Sequence, residues 1–352
     1  MGEQVLRLRD LSEGEVLARI FPILSAGAAP ERPTSGREST PMLVGPGDDA
    51  AVIAALSGSV IVTTDSMVRG KDWRDDWSRA HDVGVKLVAQ NVADIAAMGG
   101  VPTGLLVSLM ADPELEMAWV EDFARGLAEG AADAGCPVVG GDLSSAPQGV
   151  VVLSMTALGD LEGRAPVLRS GARVGDVVAV CGSLGWSGAG LATYAAGLAE
   201  PQLSRHSSAG DHGVSLARWY HRSPRPPWAS GPVAAQAGAT SMLDISDGLV
   251  RDGGRIAKAS GVTLDLSGEL LREHFLCPPL TDAVDEDEAW RQILSGGEEH
   301  SLLATFPEGC VPADERALWQ IIGRCAAPGP DGPTLVVDGI RPEVSGWDHF
   351  HP

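Results

Sequence analysis

Three apolar runs in this chain close on aspartate: SVIVTTD at 59–65, CPVVGGD at 136–142 and SMLDISD at 241–247. Short β-branched runs of this kind read as strands, and the stretches between them carry helical spacing, so the chain is limited to sheets covered by helices. Val85, Val88, Val92 and Ile95 mark one face of a helix from Ala80 to Met98, and Val120, Phe123 and Leu127 mark another from Glu114 to Ala134. Further strands are expected at 104–110, 149–159, 176–182 and 262–267, with helices at 11–24, 187–198, 248–259 and 286–294. The class is mixed α/β (α+β).

A chain of 352 residues suits two domains, which we place at 1–165 and 166–352. The stretch 26–41, rich in Pro, Gly, Ser and charge, is expected to be a mobile loop. Aspartate and glutamate total 47 against 26 lysines and arginines, a formal charge of -21 with no segregated basic patch, which argues against nucleic acid as a partner. An acidic protein can still bind polyphosphates if cations stand between its carboxylates and the ligand's oxygens. The five cysteines form no CxxC pair, so neither a disulfide framework nor a zinc site is suggested. No run of eighteen apolar residues and no leader-like segment occurs, so no membrane association and a cytoplasmic location are expected.

The acidic residues stand out by position. Asp65 and Asp142 are placed at the ends of their strands, Asp244 and Asp247 close SMLDISD, and Asp49 lies in the turn GPGDDAAV at 45–52. Asp94 projects from a helix three residues after Asn91, on the same face. Singly, such aspartates are more often turn or cap residues, and Asp247 before Gly248 is a candidate helix N-cap. Their company favours chemistry. Thr63 and Thr64 precede Asp65, Gly140 and Gly141 precede Asp142, and Ser246 separates Asp244 from Asp247. Hydroxyls and carboxylates are hard oxygen ligands suited to magnesium, and glycines let a backbone approach phosphate closely. A metal-bridged nucleotide is the expected ligand. There is no P-loop, no protein-kinase motif set and no GxSxG, and the histidines, His221 and His300 among them, are taken as solvated.

In order along the chain, GPGDDAAV, TTDSMV, KLVAQNVADIAAMGG, VVGGD, RSGARVGD, LDISDGL, SGGEEH and GWDHF resemble the thiamine-monophosphate kinase family, within the aminoimidazole ribonucleotide synthetase-like superfamily. The resemblance implies an N-terminal mixed sheet used for homodimerisation and a C-terminal α/β domain. It implies ATP-dependent phosphorylation of thiamine monophosphate with several magnesium ions and no dedicated base. Magnesium ligands would be Asp49, Thr63, Thr64, Asp65, Asp94, Asp142, Asp244 and Asp247; Gly141, Asp142, Arg169 and Ser246 would hold ATP; and Asp72, Glu298 and Trp347 would face the substrate. Two positions depart from the family pattern. Asp72, beside Lys71, stands where a substrate-contacting histidine is common, and Glu299 stands where the family more often has aspartate. The alternatives are a non-catalytic nucleotide-binding paralogue or a superfamily member acting on another small substrate. Selenophosphate synthetase would need a reactive residue near the N-terminus, yet the first cysteine is Cys136, and a hydrogenase-maturation relative would end in cysteine.

Overall fold

The computed structural model describes residues 5–27, 42–44, 52–200, 207–313, 319–344 and 346–347. Asp49 and most of the 26–41 stretch lie outside the described residues. The chain divides into two compact units, residues 1–95 with 101–163 and residues 96–100 with 164–352.

The first unit contains α1 (Glu13–Gly27), the paired short strands β1 (Met42–Val44) and β2 (Val52–Ile53), β3 (Ile61–Val68), most of α2 (Ala80–Ala97), β4 (Val101–Ala111), α3 (Met117–Ala134), β5 (Val138–Ser145) and β6 (Val151–Asp160). The four longer strands make one sheet in the order β3-β6-β4-β5. It is mixed: β3 and β4 each run antiparallel to β6, and β4 runs parallel to β5. The expected stripes of both helices are buried, with Val85, Val88, Val92, Ile95, Val120, Phe123 and Leu127 almost wholly out of solvent. On β3 burial alternates, leaving Val62, Thr64, Ser66 and Val68 exposed on the face away from α2.

The second unit contains β7 (Val177–Cys181), α4 (Trp186–Ala195), α5 (Ala209–Arg222), α6 (Ser230–Gln236), β8 (Ser241–Ile245), α7 (Leu249–Ser260), β9 (Thr263–Leu266), α8 (Gly268–Phe275), α9 (Leu280–Ala283), α10 (Glu286–Ser295), β10 (Ser301–Phe306), β11 (Trp319–Ala326) and β12 (Leu335–Val337). Its six strands follow the order β12-β9-β11-β7-β10-β8, antiparallel except where β12 meets β9. Apolar side chains cover both faces. Val178, Val180, Leu243, Ile245 and Leu303 join one cluster, and Val177, Ala179, Met242, Leu302, Ala304 and Phe306 join the other. Continuous apolar strands are therefore required here, and β7, β8 and β10 are buried at every position. No described helix is long and apolar enough to cross a membrane.

Two strands outrun the lengths expected from sequence. β3 continues past Asp65 to Val68 and β5 past Asp142 to Ser145, because pairing with β6 and β4 is maintained to those residues. Asp65 and Asp142 thus lie within strands rather than at their ends. The Asp247 cap is also corrected: Gly248 is the N-cap of α7, without a side-chain bond, because the Asp247 carboxylate is taken up by arginine.

The helices α2 and α3 meet at glycine. A Cβ on Gly126 would lie 2.0 Å from the His81 carbonyl oxygen, and one on Gly84 would lie 2.4 Å from that of Phe123. Gly254, on α7, has open space around its Cβ position. Gly126→Ala is expected to lower the unfolding free energy by about 2 kcal/mol or more through forced separation of the helices, whereas Gly254→Ala should raise it by up to about 1 kcal/mol through helix propensity. Denaturant unfolding of both variants checks this, and equal effects would refute the close-packing account.

Candidate active site

In the first unit, β3 and α2 bring together a threonine and two aspartates. The Thr63 hydroxyl donates to Asp94 Oδ2 at 2.6 Å, and the Asp65 amide donates to Asn91 Oδ1 at 3.1 Å. Asn91 is itself anchored, its Nδ2 donating to the Leu87 carbonyl at 2.9 Å. The three-residue spacing of Asn91 and Asp94 therefore points both side chains at β3. The strand register then separates the remaining candidates. Gly141 lies in the row of Asp65, Met155 and Val107, while Asp142 lies in the next row, with Ser66, Ser154 and Ser108, on the opposite face. Thr64 also faces that way and donates to the Met155 carbonyl at 2.8 Å. Asp142 accepts from the Ser144 hydroxyl at 2.8 Å. Gly141 has no room for a side chain, since a Cβ would lie 2.0 Å from the Val107 carbonyl oxygen.

Asp72 acts locally, its Oδ2 accepting the Val68 amide at 2.7 Å and closing the turn after β3. Lys71 beside it is exposed.

In the second unit, three loops are tied by main-chain bonds. The Glu298 amide donates to the Ser246 carbonyl at 2.8 Å, and the Trp347 amide donates to the Asp247 carbonyl at 2.9 Å. Residues expected at the phosphate end thus sit beside residues expected at the substrate end. Gly346 is required at this crossing, because a Cβ there would lie 1.9 Å from the Asp247 carbonyl oxygen. Trp347 keeps about half its surface exposed. Arg169 is exposed, and its carbonyl accepts the Ser260 hydroxyl at 2.9 Å.

The loop after β8 is held from below by a residue that sequence reasoning missed. Asp252, one turn into α7 and fully buried, accepts the amides of Ser246 and Asp247 through one oxygen at 3.0 and 2.8 Å. Arg255 bridges Asp252 and Asp247, reaching each at 2.5 Å, and Arg251 approaches Asp247 at 3.6 Å. Burial pushes the Asp252 carboxyl up to about 7, against the lowering effect of the Asp247 amide and Arg255. The run SDGLVRD carries the only sequence signal, an acidic residue one helical turn after the loop it supports.

Two histidines expected in solvent are buried instead. His300 Nδ1 lies 3.1 Å from Asp244 Oδ2, and His221 Nδ1 lies 3.1 Å from the Ser187 hydroxyl. Each has a long-range polar partner that makes burial tolerable. The SGGEEH turn is strained: Glu298 has φ +60 and His300 φ +53, left-handed values that cost about 1–3 kcal/mol each in a non-glycine residue. Their amides hold the geometry, bonding to the carbonyls of Ser246 and Ile245 at 2.8 Å each.

A magnesium ion asks for hard oxygen donors, and Thr63, Asp65 and Asp94 supply that chemistry on one side of the first unit's sheet. The donor types fit the ion. Among the described residues, no three His, Cys, Asp or Glu side chains stand close enough to hold a metal by themselves.

The family model described as AIR synthase related protein, N-terminal domain, matches residues 47–161. A thiamine-monophosphate kinase of Mycobacterium tuberculosis (strain ATCC 25618 / H37Rv) is 42% identical over 316 residues, 89% of this chain and 88% of the relative. The chain belongs to the thiamine-monophosphate kinase family. The crystal structure of a member of that family from Stenotrophomonas maltophilia K279a has a TM-score of 0.72 at 28% identity, covering 94% of this chain and 98% of that one. The structure of AaThiL complexed with AMPPCP and TMP has a TM-score of 0.70 at 29% identity, covering 86% of this chain and 91% of that one.

Glu299, the second glutamate of SGGEEH, turns into the interior of the second unit. It is fully buried, with Oε1 accepting the Ser187 amide at 2.7 Å and Oε2 accepting the Ser183 hydroxyl at 2.8 Å. Gly185, the N-cap of α4, offers no side chain, so Glu299 serves the helix terminus from a distance in sequence. Burial raises the Glu299 carboxyl from 4.5 to about 7, opposed by its bonds to Ser187 and Ser183. The folded protein therefore holds this proton over a range in which the unfolded chain releases it. The stability it contributes is full below 4.5 and is lost as pH rises through about 7. Glu299→Gln, which cannot ionise, should flatten the fall in unfolding free energy between pH 4.5 and about pH 7; an unchanged slope would show that Glu299 is not the group responsible.

Proposed function

We propose that this chain transfers the γ-phosphoryl group of ATP onto the phosphate of thiamine monophosphate, giving thiamine diphosphate and ADP. The observation that carries the reading is the main-chain tie of Ser246 to Glu298 and of Asp247 to Trp347, which sets residues proposed to meet phosphate beside residues proposed to meet the heterocycle. Family membership supports the same reaction. An oxygen of the acceptor phosphate attacks the γ-phosphorus, and the bond from that phosphorus to the bridging oxygen breaks, with the electron pair leaving on ADP. The acceptor is already ionised near neutral pH, so no side chain need remove a proton.

Within the first unit, assigned chiefly to ATP and magnesium, Thr63, Asp65 and Asp94 are the proposed ion ligands on one face of the sheet and Thr64 and Asp142 on the other, together with Asp49. In the second unit the proposed ligands are Asp244 and Asp247. The proposed ATP contacts are Gly141 and Asp142 in the first unit, and Arg169 and Ser246 are the residues of the second unit proposed for that role. Several magnesium ions, when bound, neutralise the phosphates and align them for in-line attack. Arg255 and Arg251 supply countercharge to Asp247. Glu298 meets the positive charge of the thiamine rings, and Trp347 offers its half-exposed indole as a stacking surface. Asp72 acts by shaping the turn that presents Lys71, an exposed cation suited to the acceptor phosphate. The open face of the N-terminal sheet, with Val62, Val68 and Leu106 exposed, supports a homodimer formed there; a single-chain mass in light scattering would remove that part. Cytoplasmic action follows from the substrates.

Incubation with ATP, magnesium and thiamine monophosphate should yield thiamine diphosphate, and Asp94→Asn should cut kcat at least about 100-fold by removing a charged oxygen from the ion site. ATP binding without any thiamine diphosphate, from a folded preparation, would favour the non-catalytic paralogue. Near-normal turnover in Asp94→Asn would demote that residue to a partner of Thr63.

A further inference from the structure

Ser187, in the first turn of α4, bonds one glutamate of the SGGEEH turn directly and touches the histidine that stands beside the other. Its amide donates to Glu299, and its hydroxyl lies 3.1 Å from Nδ1 of His221, which in turn stands 3.4 Å from Glu298 Oε2. His221 comes from the last turn of α5 and is 8% exposed, with its ring centroid 6.2 Å from that of Tyr194. The Glu298 side chain is 37% exposed. A carboxylate only accepts hydrogen bonds, so a proton on Nδ1 is what makes this approach favourable, and the Ser187 oxygen lies within reach of the same N–H.

A glutamate this exposed would ordinarily sample several rotamers, and ordering it at a binding surface costs side-chain entropy. Two features remove that freedom. The left-handed backbone at Glu298, held by the Ser246 carbonyl, sets where the side chain leaves the main chain. The His221 imidazole, locked between buried neighbours, sets where the carboxylate ends. Nothing in the phosphoryl-transfer chemistry calls on His221, yet it contacts the one exposed carboxylate of the turn.

We propose that His221, oriented by the Ser187 hydroxyl, is a positioning residue that holds the Glu298 carboxylate toward the cationic heterocycle of the phosphoryl acceptor and so sets the affinity for that acceptor. This rests on the kinase reading above. Removing the imidazole leaves the main-chain tie between Glu298 and Ser246 in place, so ATP handling is preserved while acceptor binding weakens.

The test is steady-state kinetics of the full-length chain with thiamine monophosphate and ATP varied separately, each variant being checked for folding by thermal unfolding. His221→Ala should raise KM for thiamine monophosphate about tenfold, the effect of losing one polar contact to the carboxylate, with KM for ATP unchanged and kcat within about threefold. His221→Asn, whose amide nitrogen can stand near the Nδ1 position, should restore the acceptor KM to within about threefold of the original. If His221→Ala does not fold, Ser187→Ala carries the expectation, because it deletes the hydroxyl and keeps the amide bond to Glu299; its acceptor KM should rise about threefold. An unchanged acceptor KM in the folded alanine variant, an equal rise in both KM values, or no rescue by asparagine overturns the proposal. An unsubstituted chain that makes no thiamine diphosphate overturns the kinase reading itself and this inference with it; an active chain with an indifferent His221 overturns only the inference.

Discussion

Carboxylates held inside or beside a folded unit need a partner, and where each one points is decided by the donor it is given. Asp94 is fixed by the Thr63 hydroxyl, Asp244 by His300, Asp247 by Arg255, and Asp252 by two amides of the loop it supports. The first two bonds join residues 31 and 56 positions apart, so Asp94 and Asp244 acquire direction only when their unit has folded, whereas Asp247 and Asp252 are fixed within one loop and the helix that follows it. The same donors limit the electrostatic cost of an acidic protein with a formal charge of -21.

The strands and helices that carry these residues were largely legible in the sequence. The stripe Val85, Val88, Val92 and Ile95 marks the buried face of α2, and the three-residue step from Asn91 to Asp94 correctly places both on the side that meets β3. The apolar runs ending in Cys181, Ile245 and Phe306 are buried on both faces, as uninterrupted runs suggest. Strand ends were less legible, because TTDSMV keeps its alternation through a charged residue and pairing with β6 carries it past Asp65.

Partnerships across the fold were not legible. His221 and Ser187 are 34 positions apart, His300 and Asp244 56 apart, and Glu299 and Ser187 112 apart. A lone histidine in a polar stretch carries no mark of burial until its partner is in place. The helix α5 escaped notice for a related reason: its buried positions are Gly213, Ala217, Arg218 and His221, which make no apolar stripe. Arg218 is almost fully buried and satisfied by the carbonyls of Thr193 and Leu198 and by Glu200, a role that local sequence does not reveal. The separation of Asp142 and Thr64 from Asp65 onto the other face of the N-terminal sheet likewise depends on register, which the acidic residues taken by position along the chain do not contain.

The account rests on cations mediating between these oriented carboxylates and two phosphate-bearing substrates. The most direct measurement is the initial rate of thiamine diphosphate formation as free magnesium is titrated from a chelated baseline at fixed ATP and thiamine monophosphate. The account predicts no turnover at the baseline and a rise steeper than first order, as expected where more than one ion is needed. Full turnover in the presence of chelator would contradict it.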